Sequence, residues 1–290
     1  MLGRTFVLPL IVGLMLLVPL RAAGHNFLWK ATGHGGVVYL LGSVHMLSQD
    51  YYPLDPALES SFKDSDLLVE EVDLEEMLAP DAQLSILTKG MLPDGQTLDK
   101  VLTPPTYALV SKSVGELGAP IEALRRFKPW MLAIALEGLA LQQGGFDPEL
   151  GLDKHFYDLA RAGGKPVQGL ETAEYQMSRF DDMTMAQQDR FLADTLKELD
   201  TEKTSVDKLA GAWKSGDAPM VEQIVLKDLK SDPVMYQRLL VERNHNWLPK
   251  IDALFSRPGH AFVVVGAAHL VGPDGLLQML RAKGYNVEQM

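Results

Sequence analysis

The chain has 290 residues, 47% of them hydrophobic, which is enough apolar material for a sizeable core in one large domain or two small ones. Its net charge of −11 argues against nucleic acid and against anionic membrane surfaces as partners. With no cysteine, disulfides, thiolate zinc sites and a cysteine nucleophile are all excluded.

Residues 1–24 read differently from the rest. Arg4 gives a short basic start, Thr5 to Leu20 carries no charge, and Arg21-Ala22-Ala23-Gly24 offers small residues for cleavage. This is the pattern of a secretory signal peptide, so the protein is expected in the periplasm or outside the cell. Pro9, Gly13 and Pro19 weaken the alternative, an uncleaved membrane anchor, and that alternative is the one route to a membrane association. Cleavage after Gly24 removes two of the 27 basic residues and none of the 38 acidic ones, making the net charge −13. Residues 25–290 are then expected to form a single α/β domain.

Phe27 to Thr32 and Val37 to Leu41 read as strands of a hairpin turning at Gly33-His34-Gly35-Gly36, with His25 and His34 exposed beside it. The second strand continues into Gly42-Ser43-Val44-His45. Asp55-Pro56 starts a helix to about Asp64, and 66–72 is a strand, completing a crossover unit between parallel strands. Glu70 and Glu71 end it on opposite faces, so they cannot share a role, and the plain reading of the pair is a solvated edge. From 81 to 145 the pattern is helical, with starts at Pro104-Pro105 and Pro129. Trp130 to Leu141 is apolar nearly all round and reads as a buried helix. This stretch is a candidate cap over the site.

Gly151 opens a helix with an apolar stripe of Leu152, Phe156, Leu159 and Ala160, closed by Gly163-Gly164, with His155 on its flank. A short strand at 165–170 runs into Glu171, which is either a helix-start carboxylate or a group near the site. The segment 184–256 is helical, with Asp232-Pro233 as a start and Pro249 as an interruption. Ala261 to Val265 is a strand rich in β-branched residues that ends in Gly266-Ala267-Ala268-His269. A helix over 273–283 and a strand from Tyr285 follow.

The Gly-x-x-His pattern therefore occurs twice, each time after a continuous apolar strand suited to burial on both faces of a sheet. Such strands side by side bring His45 and His269 to one carboxyl edge, where open α/β sheets bind ligands. The expected fold is α/β: a central, mostly parallel sheet from 37–42, 66–72, 165–170 and 261–266, flanked by helices, with helical insertions at about 81–145 and 184–256. The commonplace alternative for each histidine is a hydrogen-bonded turn residue.

The chain also resembles the TraB/GumN family, related to the Tiki metalloproteases and to an erythromycin-esterase-like and ChaN-like superfamily. The resemblance runs from Trp29 and the first Gly-x-x-His through Glu71-Val72-Asp73, Gly151-Leu152-Asp153 and Gly169-Leu170-Glu171-Thr172. It continues through Arg243-Asn244 and the second Gly-x-x-His to Gly275-Leu276-Leu277 and Gly284-Tyr285. It selects Glu71 over Glu70 and places Arg243 beside the histidines, leaving the roles of Asp73 and Glu171 open.

Two histidines and a glutamate are a ligand set for a divalent ion such as Mn, Co or Zn, so His45, Glu71 and His269 are the candidate metal ligands. The resemblance implies a metal-dependent hydrolase, a peptidase, with a peptide or small-molecule substrate, with Glu71 and Arg243 catalytic and Arg243 holding a developing oxyanion. Two other readings remain open: a metal-free esterase-like hydrolase in which His and Glu do acid–base work, and a protein that binds a peptide or haem without turnover. There is no His-Glu-x-x-His and no Gly-x-Ser-x-Gly, and Ser43 reads as a turn residue.

Overall fold

The structure is a computed structural model and describes residues 26–199 and 202–290, so the expected signal peptide and His25 lie outside the described residues. Six strands form one mixed sheet: β1 (Leu28–Gly33), β2 (Gly36–Ser43), β3 (Leu67–Glu70), β4 (Val167–Gly169), β5 (Ala261–Gly266) and β6 (Asn286–Gln289). Their order is β4-β3-β5-β2-β1-β6. The four from β4 to β2 run parallel, and β1 and β6 complete the sheet antiparallel. His34 and Gly35 both take positive φ, 50° and 84°, the two-residue turn whose twist matches a hairpin.

β5 is the central strand. Every residue from Ala261 to Val265 is buried, which requires cover on both faces of the sheet. On one face Phe262 meets Phe62 and Phe156 at ring separations of 5.6 and 4.8 Å, bringing in the helices Pro56–Lys63 and Leu152–Gly163. Helix Glu242–Leu254 also packs into this core through Trp247 and Ile251. Asp55 caps the first of these helices on the Ala57 N–H, and Gly164, in the left-handed conformation, closes the second.

The two strands that carry the Gly-x-x-His motifs lie side by side as expected: β5, from the far end of the chain, stands between β2 and β3, the strands that the first crossover helix joins. The crevice at the carboxyl ends of such parallel strands is where open α/β sheets bind ligands.

Between β3 and β4, and between β4 and β5, the described residues form helices and loops. Helices Pro104–Glu116, Pro129–Gln143 and Met185–Leu199 share a core of their own, built on Val110, Leu132, Leu136, Leu192 and Leu196. The helix expected to be buried all round is not. It buries Trp130, Leu132, Ala133 and Leu136 and leaves Ile134 and Glu137 accessible, because its partners cover one side only. No helix of the described residues is long and apolar enough to cross a membrane.

The first motif glycine is needed for packing. A Cβ on Gly42 would stand 2.3 Å from the Phe27 ring and 3.1 Å from the Ala267 Cα. Phe27 is itself buried and cannot swing away. Gly42→Ala is therefore expected to cost about 1–3 kcal/mol of stability, the range for overpacking a filled core. Urea denaturation measures this; an unchanged midpoint would show that the contact relaxes freely.

Candidate functional site

The two Gly-x-x-His segments meet at the carboxyl edge of β2 and β5, where Ser43 stands in register with Gly266. They do not use one turn, as the repeated spacing suggested. β2 continues through Gly42 and Ser43, and His45 lies in a bend beyond it, its side chain 66% exposed. β5 ends at Gly266 and the chain passes directly into a helical turn, Ala267–Leu270, that buries His269. The Gly266 position is the floor of the site: a Cβ there would lie 3.3 Å from Glu71 Oε1 and 3.7 Å from both His45 Nε2 and His269 Cδ2.

Glu71 follows β3, which ends at Glu70. Parallel pairing continues past the strand ends, with Leu170 N–H donating to Glu70 O and Glu171 N–H to Glu71 O, both at 2.8 Å. This sets Glu171 beside Glu71. Both carboxylates meet the guanidinium of Arg243, which comes from helix Glu242–Leu254. Arg243 Nη2 donates to Glu71 Oε2 at 2.5 Å and to Glu171 Oε1 at 2.7 Å, and Nε donates to Glu171 at 3.0 Å. Its Nη1 donates to Leu239 O at 3.2 Å and to His269 Nε2 at 3.0 Å. All five N–H groups of the arginine are thereby engaged. The π-helical stretch Gln237–Val241 just before it carries the Leu239 carbonyl, and such local widening is common at functional sites.

The hydrogen-bond network assigns the protons. Asn244 Nδ2 donates to the carbonyls of His269 and Asp274, so its Oδ1 accepts from His269 Nδ1–H at 2.7 Å. The Nε2 lone pair then faces Arg243. Burial, offset by Glu71 and reinforced by Arg243, pushes His269 down to about 3, so it is neutral. His45 is the opposite case. Its Nδ1 donates to Asp153 Oδ2 at 2.9 Å, and this carboxylate pushes it up to about 9, leaving an imidazolium whose Nε2–H faces the cleft. Ser43 Oγ donates to the other oxygen of Asp153 and not to the histidine, so it is no activated nucleophile.

Burial alone would raise Glu71, but Arg243, both histidines and the Gly266 N–H outweigh it and hold it well below the usual carboxylate range. Gly266 N–H donates to Oε1 at 2.8 Å, and Gln176 Nε2 donates to Oε2 at 3.1 Å. Glu171 is pushed up by burial against the pull of Arg243, since one guanidinium serves two carboxylates; it also accepts from Trp247 Nε1 at 2.8 Å.

The proposed ligands His45, Glu71 and His269 thus gather around Gly266, with His45 and Glu71 lining the cleft and His269 buried, but not as a closed ligand set. Glu71 and His269 stand 3.9 Å apart with Arg243 bonded to both. Among the described residues no three His, Asp or Glu side chains are close enough to hold one ion. The donors suit a divalent metal in kind, since each imidazole has its outer nitrogen held by an acceptor, the arrangement that orients metal-bound histidines. The His269 lone pair is committed to Arg243, however, and Arg243 has no N–H left for an oxyanion.

Glu70 departs furthest from expectation. It is not on a solvated edge but 2% exposed, and it lines the same cleft as Glu71 because strand alternation stops where β3 stops. Asp73, left open by the resemblance, caps the helix Leu74–Leu78 on the Glu75 N–H. Asp153, Gln176, Asn244 and Glu137 were not singled out. Asp153 and Asn244 stood inside the motifs, but nothing local marked Gln176 or Glu137. Glu137 is an accessible residue of helix Pro129–Gln143 that feels the charge of His45.

The His45 shift predicts a pH dependence. Below about pH 6.5 the imidazole is protonated folded and unfolded alike, and the Asp153 pair contributes fully; the contribution falls as pH rises through about 9. An NMR titration of the His45 ring should show a midpoint near 9, returning toward 6.5 in Asp153→Asn. The stability difference between the two proteins should shrink over the same window.

The TraB/PrgY/gumN family profile matches residues 27–289. The uncharacterized protein YbaP of Escherichia coli K12 is 30% identical over 246 residues, covering 84% of this chain and 87% of that one. An uncharacterized protein of Treponema pallidum is 22% identical over 274 residues, covering 88% of this chain and 80% of its own. No solved structure is a significant match. The match spans both Gly-x-x-His motifs, Glu71 and Arg243: the chain belongs to the TraB/PrgY/gumN family.

Proposed function

We propose that the protein is a hydrolase of peptide or ester bonds, exported through cleavage of residues 1–24, working in the cleft above Gly266. The observation that carries this reading is the pair of unlike histidines flanking one ionised carboxylate: a cationic, accessible His45 held by Asp153, and a neutral, buried His269 held by Asn244. Unlike protonation states in one site are how a fold assigns acid and base roles.

In this reading His45 keeps a proton at Nε2 for the departing oxygen or nitrogen and recovers one from the attacking water. Glu71 Oε1, on the Gly266 side, orients that water. Arg243 acts as a positioning residue: it holds Glu71 ionised and fixes the His269 ring. When bound at His45, Glu71 and His269, a divalent ion supplies Lewis acidity that activates water and polarises a carbonyl. Loading would require the Nε2–H proton of His45 to leave, so metal affinity should rise with pH up to about 9. It would also require His269 to exchange Arg243 for the ion. The commitment of that lone pair to Arg243 favours the second reading, in which the side chains work without metal.

Elemental analysis of protein prepared without chelator, alongside turnover of peptide and ester libraries, separates the two. The metal reading expects a stoichiometric divalent ion that is lost with activity in His45→Ala and His269→Ala. The metal-free reading expects activity that survives chelator and falls roughly 10²–10⁴-fold in His45→Ala. Absence of turnover on both substrate classes, with and without added metal, would overturn the hydrolase reading.

A further inference from the structure

Glu70 is the one feature of the cleft that the proposed chemistry does not use. Its side chain is 2% exposed, and neither carboxyl oxygen has a hydrogen-bond partner among the described residues; the Leu74 N–H approaches without completing a bond. Its neighbours make matters worse. Asp153 and Asp73 add two more carboxylates, and the cation closest to them, His45, is already bound to Asp153. A buried carboxyl left without a partner destabilises the fold. A fold that keeps such a group in the wall of a cleft is keeping it for something that enters.

The cleft there is small, about 230 Å³, lined by His45, Glu71, Met77, Asp153 and Gln176 beside Glu70. Its carboxyls do not close on a single point among the described residues. Leu74 and Met77 supply apolar surface next to the acidic corner. A buried carboxyl without a hydrogen-bond donor, backed by methylene-sized apolar contacts, matches an alkylammonium. We propose that Glu70 is a specificity residue that receives a primary ammonium group of the substrate, with Asp153 as the second acceptor. The inference rests on the reading of this cleft as a substrate site and adds the substrate class: a compound with a free amine next to the bond presented to His45.

Two sources share that chemistry, a free amino terminus and a lysine side chain. Calorimetric titration with alaninamide, with Nα-acetyl-lysine amide and with Nα-acetyl-alaninamide distinguishes them. The wild type should bind one of the two amines about ten- to a hundredfold more tightly than the doubly capped control, the span of one charge-assisted hydrogen bond. Glu70→Gln should lose this preference while keeping or raising Tm, because it removes a buried, unpartnered carboxyl. Glu70→Asp, which withdraws the carboxyl by one methylene, should weaken the preference and serves if Glu70→Gln misfolds. Equal binding of all three probes by the wild type, no binding of either amine, or an undiminished preference in both variants would overturn the proposal. Binding is read without turnover, so cleavage of fully capped peptides by Glu70→Gln would uphold the hydrolase reading whatever becomes of the subsite. An amine preference in a protein that hydrolyses nothing would do the reverse.

Discussion

The site depends on one buried cation. Arg243 is 7% exposed and carries a charge that cannot be shed, so folding requires anions and acceptors for all five of its N–H groups. They come from distant parts of the sequence: Glu71 after β3, Glu171 after β4, His269 after β5, and the Leu239 carbonyl one turn back in its own helical segment. Trp247 completes the enclosure, its ring 4.6 Å from the guanidinium and its indole N–H on Glu171. Loss of any one partner strands a buried donor. The arginine thus ties three strand ends to the helix Glu242–Leu254, and the precision of the cleft follows from that tie rather than from the strands alone.

The same tie makes the two histidines different although their motifs match. His269 lies inside the arginine network, deprived of solvent and next to a cation, and is neutral. His45 lies outside it, held by Asp153 from the helix Leu152–Gly163, and is charged. The glycines also divide the labour. Gly42 gives way to Phe27 and Ala267, a packing role; Gly266 gives way to Glu71 and the histidines, a role in the site. Identical spacing produced two unlike environments because what surrounds each motif comes from elsewhere in the chain.

That division also explains what was legible. The strands were, because β2 and β5 are continuous runs of β-branched and aliphatic residues, and caps such as Asp55 and Asp232 announce their helices. The pairing of β2 with β5 followed from their matching motifs, but the place of β3 on the far side of β5 did not, because strand order is a long-range property and the crossover rule speaks only of handedness. The burial of Glu70 escaped because alternation holds only within a strand, and β3 ends one residue before Glu71. Gln176 sits on a helix whose local pattern says nothing of a cleft; only tertiary packing turns it toward one. Convergence of His45, Glu71, His269 and Arg243 was readable from motifs, but not the placement of Arg243 between two of the candidate ligands.

The geometry finally separates where chemistry and selectivity reside. His45, Glu71 and His269 follow strand ends, whose positions are set by the hydrogen-bond ladder and by a core that tolerates little movement. Glu137, by contrast, stands on a helix whose core of Leu132, Leu136 and Leu192 is distinct from that beneath the sheet. Substitutions in that helical core act on a packing unit apart from the one that carries the arginine network. Glu70 belongs to the rigid side, at the end of β3, and its position is as fixed as those of the strand-end residues beside it.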